Sequence, residues 1–195
     1  MSKTIEHGWE LELPAATPEQ LLAALSARDR LFGRSVTLEP EDDPGKSVEV
    51  WLGTTDALEG TTYHLHIFAE LAGPADYLDA AKDALEDVVG DQIEIAAAEA
   101  EEAKLIETRP AAGIRFTRVG EDDERPELVI PEWLAPDEEV ELPWGFRPFE
   151  ADGKAWPSDE VIKTHGRVAV VPTGDELRLY ELPEIEDDEE DEEEE

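Results

Sequence analysis

Apolar and polar residues alternate along Ile5 to Leu13, placing Trp9, Leu11 and Leu13 on one face of a predicted strand. Thr17-Pro18-Glu19-Gln20 then reads as a helix start. Thr17 is the N-cap, Pro18 occupies the first helical position and Gln20 completes a capping box. Leu21, Leu22, Ala24 and Leu25 supply the apolar stripe, and Gly33 ends the element. Three strands follow, over about Ser35 to Leu38, Val48 to Leu52 and Thr61 to Leu71. Turn residues at Asp43-Pro44-Gly45 and Gly53-Thr54 bound them. Connections this short favour an antiparallel meander.

From Pro74 to Val89, Tyr77, Leu78, Ala81, Ala84, Leu85, Val88 and Val89 recur at helical spacing, and Gly90 is placed to terminate the helix. Gln92 to Glu107 carries two signals. Ile93 and Ile95 alternate like a strand, while Ala96 to Ile106 is rich in Ala and Glu. The expected element is a helix from about Ile95. Gly113 to Val119 reads as a strand. Residues 120–157 hold six prolines together with Trp133, Trp144 and Trp156, and predict an extended segment wrapped over the domain, with a short strand near Leu128 to Ile130. The tryptophans serve to cover the open face of the sheet, or else form an exposed docking surface. A last hairpin spans Arg167 to Val171 and Leu177 to Leu182, turning at Thr173-Gly174-Asp175.

The expected fold class is therefore α+β: an antiparallel sheet with two or three helices on one face, a Pro/Trp-rich wrapping segment and a C-terminal β-hairpin. Residues 1–182 form one domain and 183–195 a disordered acidic tail.

Charge changes this picture more than any motif. The 195 residues include 52 acidic and 16 basic side chains, a formal charge of −36. Glu184 to Glu195 holds 11 of the acids; the remainder still has 41 against 16, or −25. A polyanionic body repels nucleic-acid phosphates and anionic lipid, so neither is an expected partner. Few lysines and carboxylates spread over the whole chain resemble the composition of proteins from salt-accumulating halophiles, although Glu far exceeds Asp. With no cysteine, no basic-then-apolar start and no apolar run near the roughly 20 residues a membrane span needs, the expected location is the cytoplasm.

Catalytic motifs are missing. No two of the 13 glycines lie closer than seven positions, which excludes Walker A and dinucleotide fingerprints. Five serines and four histidines leave little for nucleophilic catalysis. His64 and His66 share one face of a predicted strand, with Glu70 on the same face, a set able to hold a transition metal. The spacing His64-x-His66-x-x-x-Glu70 is similar to the first half of the metal motif of cupins. The likeness covers these seven residues only: Leu58 stands where that motif has glycine, and no second half follows. The plain alternative is a histidine pair on an open sheet face, packed against acids. His165 precedes the last hairpin, at a turn, without an identifiable catalytic partner. The acidic side of the 74–89 helix allows a DNA-mimic reading, in which carboxylates stand in for phosphates toward a basic protein. Taken together, these features lead to a non-enzymatic accessory protein with a protein partner and no cofactor. A homo-oligomer is compatible with them, and the metal-binding and DNA-mimic readings are the alternatives.

Overall fold

The computed structural model describes residues 2–39, 45–118, 127–135 and 146–184. They form a mixed α+β fold built on antiparallel sheets. The first sheet has the order β1-β4-β3-β2, from strands Ser2–Pro14 (β1), Ser35–Leu38 (β2), Val48–Glu59 (β3) and Thr62–Pro74 (β4). All its pairings are antiparallel, and the β1–β4 register runs unbroken from Ser2↔Pro74 to Pro14↔Thr62.

Helix α1 (Pro18–Leu31) starts as its sequence dictates. The Thr17 hydroxyl accepts from the Gln20 amide at 3.2 Å, and the Gln20 side chain accepts from the Thr17 amide at 3.0 Å. Helix α2 (Leu78–Glu102) lies beside it. Both helices pack on the inner face of the first sheet, where Val48, Val50, Leu52, Leu65, Ile67 and Leu71 are buried.

A second sheet, ordered β5-β10-β9-β7, covers the far side of α1. It combines Lys104–Pro110 (β5), Leu128–Val129 (β7), Val168–Thr173 (β9) and Glu176–Glu181 (β10), with β7 parallel to β9. Strand β9 is apolar on both faces. Ala169 and Val171 join the α1 core, while Val168 and Val170 join a smaller cluster with Trp156, Ile162, Leu177 and Leu179. Strands Ile114–Arg118 (β6) and Phe146–Glu150 (β8) make a separate ribbon, and helix α3 (Asp159–His165) follows, capped by Ser158.

Several expectations need correction. The second helix does not stop at Gly90. Leu78, Ala81, Leu85, Val89, Gln92, Ala96 and Glu99 form one buried stripe at spacings of three and four, which carries the helix through. An exposed glycine there costs only about 1 kcal/mol relative to alanine. Nor does the helix reach Glu107: the chain turns extended at Ala103, and β5 pairs with β10. Gly53-Thr54 is not a turn but the middle of β3. Within 120–157, β8 is regular strand, and its Pro148 is tolerated because it faces away from β6, toward a short irregular pairing in which its carbonyl accepts from the Trp156 amide and no amide donor is needed from it. Among the described residues, Trp156 and Trp133 do not cover the open face of the first sheet. Trp156 is buried in the smaller cluster, and Trp133 packs partly against the main core. Trp144 and most of the expected tail lie outside the described residues.

Two buried polar networks tie the layers. In the first, the fully buried Asp56 carboxylate accepts from Arg28 Nη1 at 2.6 Å and from the Tyr63 hydroxyl at 3.2 Å. It also accepts from the Glu132 and Trp133 amides at 2.8 and 3.3 Å. In the second, Glu99 of α2 accepts from Arg30 at 2.6 Å, from Arg167 at 3.1 Å and from the Ser26 hydroxyl. Burial, and then the Asp56 carboxylate, pushes the Tyr63 phenol above its ordinary value. A phenol whose value is higher folded than unfolded contributes stability that is complete below about pH 10 and is lost as the pH rises beyond it. Urea midpoints measured from neutral to alkaline pH are expected to fall above about pH 10. Tyr63→Phe should flatten that fall while lowering neutral stability by about 1.5–3 kcal/mol, the usual range for a hydrogen bond to a charged group. An unchanged alkaline limb in the variant removes Tyr63 as its source.

Candidate open sheet face

The period of two along β1, β3 and β4 sorts their side chains into an inner, core-forming set and an outer set. The outer set is Glu6, Gly8, Glu10 and Glu12 on β1, His64, His66, Phe68 and Glu70 on β4, and Glu49, Trp51, Gly53, Thr55 and Glu59 on β3. Ser35 and Thr37 of β2 lie on the same face. Neither lysine nor arginine occurs among these described positions. Six glutamates make the face uniformly acidic.

Two aromatic rings stand at its centre. Trp51 is 47% and Phe68 41% exposed, with ring centroids 5.8 Å apart. Gly53 lies opposite Phe68 in the register, and a Cβ there would come within 2.3 Å of the Phe68 ring. The glycine thus lets the ring lie down on the strand backbone, the compensation by which an aromatic covers a strand glycine. A shallow cavity of about 480 Å³ opens beside the pair, lined by Glu6, His7, Gly8, Trp51, Phe68, Ala69 and Glu70. Glu6 and Glu70 are direct cross-strand neighbours, so two carboxylates flank the aromatic floor.

Further along the face, His64 and His66 stack nearly parallel, at 8° and 6.1 Å between centroids. His64 Nδ1 lies 2.9 Å from Glu10 Oε1, and His66 Nε2 lies 3.8 Å from the same oxygen. Glu12 and Glu59 approach His64 at 3.9 and 3.7 Å. The carboxylate that the fold brings to the histidines is thus Glu10, directly opposite His66. Glu70 shares the face, but an unbroken strand carries it about 13 Å beyond His66, at roughly 3.3 Å per residue. It faces Glu6 and Trp51 instead.

Other candidates lead elsewhere. His165 ends α3, with Nδ1 3.4 Å from Glu181, in a depression that also contains Lys104, Lys163 and Thr164. The Thr164 hydroxyl donates to the Glu160 carbonyl at 2.8 Å. Arg28, Arg30 and Arg167 do not open a basic cleft: each is nearly enclosed and ion-paired, to Asp56, to Glu99, and to Glu99 and Asp29 respectively. Among the described residues no helix is long and apolar enough to cross a membrane.

No protein-family model, no curated protein and no solved structure matches this chain.

Proposed function

We propose that this protein is a non-enzymatic accessory protein that binds a basic segment of a partner protein on the outer face of its first sheet. The observation that supports this reading is the solvated Trp51–Phe68 pair between Glu6 and Glu70, on a face with six glutamates and neither lysine nor arginine. Exposed aromatic faces attract guanidinium and ammonium groups, and flanking carboxylates add charge-assisted hydrogen bonds. An acidic field over the whole body would raise the encounter rate with such a partner. The same field argues against direct contact with nucleic acid.

A peptide alternating arginine with tyrosine is a suitable probe, titrated calorimetrically at fixed ionic strength. Trp51→Ala is expected to weaken binding by about 2 kcal/mol or more, as loss of a central aromatic anchor does. Glu6→Gln with Glu70→Gln should slow association. If binding ignores these changes but follows substitution of Asp79, Asp83 and Asp87, exposed along α2, the DNA-mimic reading takes its place.

A further inference from the structure

The geometry points to a binding site for a divalent transition-metal ion of the zinc type, formed by Glu10, His64 and His66 and distinct from the Trp51–Phe68 patch. One ligand atom from each of the three residues can be chosen so that all lie within 4.8 Å of one another. An ion held tetrahedrally at about 2.0–2.2 Å needs its ligands about 3.3–3.6 Å apart. The two Glu10 contacts, 2.9 and 3.8 Å, bracket that span, and rotation of the imidazoles on a fixed backbone supplies the rest. The backbone is fixed because Glu10 and His66 are direct partners in a regular antiparallel ladder, and His64 follows two residues away on the same face.

The donor set selects the ion. Two imidazoles and one carboxylate suit zinc, cobalt, nickel and copper, whereas magnesium and calcium prefer all-oxygen shells. Glu12 and Glu59 stand 3.9 and 3.7 Å from His64. They are placed to orient its ring or to offer a further oxygen, as outer carboxylates do for metal-bound histidine. Three protein ligands leave a position for water, the pattern of an open rather than a closed site. Neither Trp51 nor Phe68 takes part, so metal binding and peptide binding can fail separately.

Calorimetric titration of the full chain with Zn²⁺, in excess Mg²⁺ to occupy carboxylate-only surface, tests the site. The expected result is one strong Zn²⁺ per chain. Outer-shell substitutions alone typically lower metal affinity about 10–100-fold, so removal of a direct ligand in His66→Ala or Glu10→Gln should cost at least about tenfold. Glu70→Gln should leave affinity unchanged. Co²⁺ gives a second readout, through visible absorption bands that appear in the wild type and vanish in His64→Gln. Zinc binding that Mg²⁺ abolishes, or that survives both histidine substitutions, overturns the site and leaves only counterions on an acidic surface. So does a loss with Glu70→Gln equal to that with Glu10→Gln.

Discussion

Asp56→Ala is expected to destabilise the protein by about 3–5 kcal/mol, the range for removing one partner of a buried ion pair. The effect is large because Asp56 satisfies four donors at once, and one of them is a buried charge. Burial pulls the Arg28 guanidinium down, but the neighbouring acids, Asp56 first, outweigh it and hold Arg28 above its ordinary value. Without Asp56 the burial is opposed only by Tyr63 and Glu132, each a weaker raising influence than the Asp56 charge. The two amides at Glu132 and Trp133 lose their acceptor as well, which weakens the tie of the short 3₁₀ turn Glu132–Leu134 to β3, although the residue-56 amide still donates to Glu132 Oε2 at 3.4 Å. Urea unfolding followed by tryptophan fluorescence measures the loss. Asp56→Asn should fall between wild type and alanine, since its amide oxygen still accepts. Replacing both partners, Asp56→Leu with Arg28→Met, should recover part of the stability by removing the uncompensated charge. A loss below about 1 kcal/mol for Asp56→Ala would mean that water reaches Arg28 freely, contrary to its burial.

The second large effect is that of salt. Stability should rise steeply between about 0.1 M and about 2 M KCl, as the Debye length shrinks from about 10 Å toward and below about 3 Å. Two like charges about 10 Å apart in water repel by about 0.4 kcal/mol. Repeated over dozens of surface carboxylates, that repulsion is comparable with the about 5–15 kcal/mol net stability of a domain. The fold sharpens the imbalance. Arg28, Arg30 and Arg167 are enclosed with Asp56, Glu99 and Asp29, which leaves the surface charge near −36 but takes three of the 16 basic side chains away from it and so raises the ratio of acid to base there. The enclosed pairs are screened far less, so salt gains much at the surface and loses little inside. Urea midpoints across a KCl series check this. A flat response would remove the halophile-like composition as an explanation of the charge.

Signals within a few residues of one another were the readable ones. The capping box at Thr17, the strand Ser35 to Leu38 and the last hairpin are where their sequences place them. The unity of α2 was hidden because two positions of its buried stripe carry Gln92 and Glu99. Those side chains are buried only because Arg30 and Arg34, near the end of α1, and Arg167 reach them from elsewhere in the chain. The open face shows the same division. The spacing of His64 and His66 put both on one face, but their carboxylate neighbour comes from 54 residues upstream, through strand register that no local pattern encodes. Likewise, the exposure of Trp51 and Phe68 follows from which side of each strand met the helices, and no local pattern encodes that.

The central place of α1 has a consequence for biosynthesis. This helix leaves the ribosome long before the β9–β10 hairpin, whose strand β9 walls its second side together with β7. The contact from Arg167 to Ser26 spans 141 residues. A nascent chain lacking that final hairpin holds the first sheet and its two helices with an uncovered apolar flank, open to aggregation or to a chaperone. The cooperative closing step therefore falls after synthesis of the hairpin, and such long-range closure folds slowly.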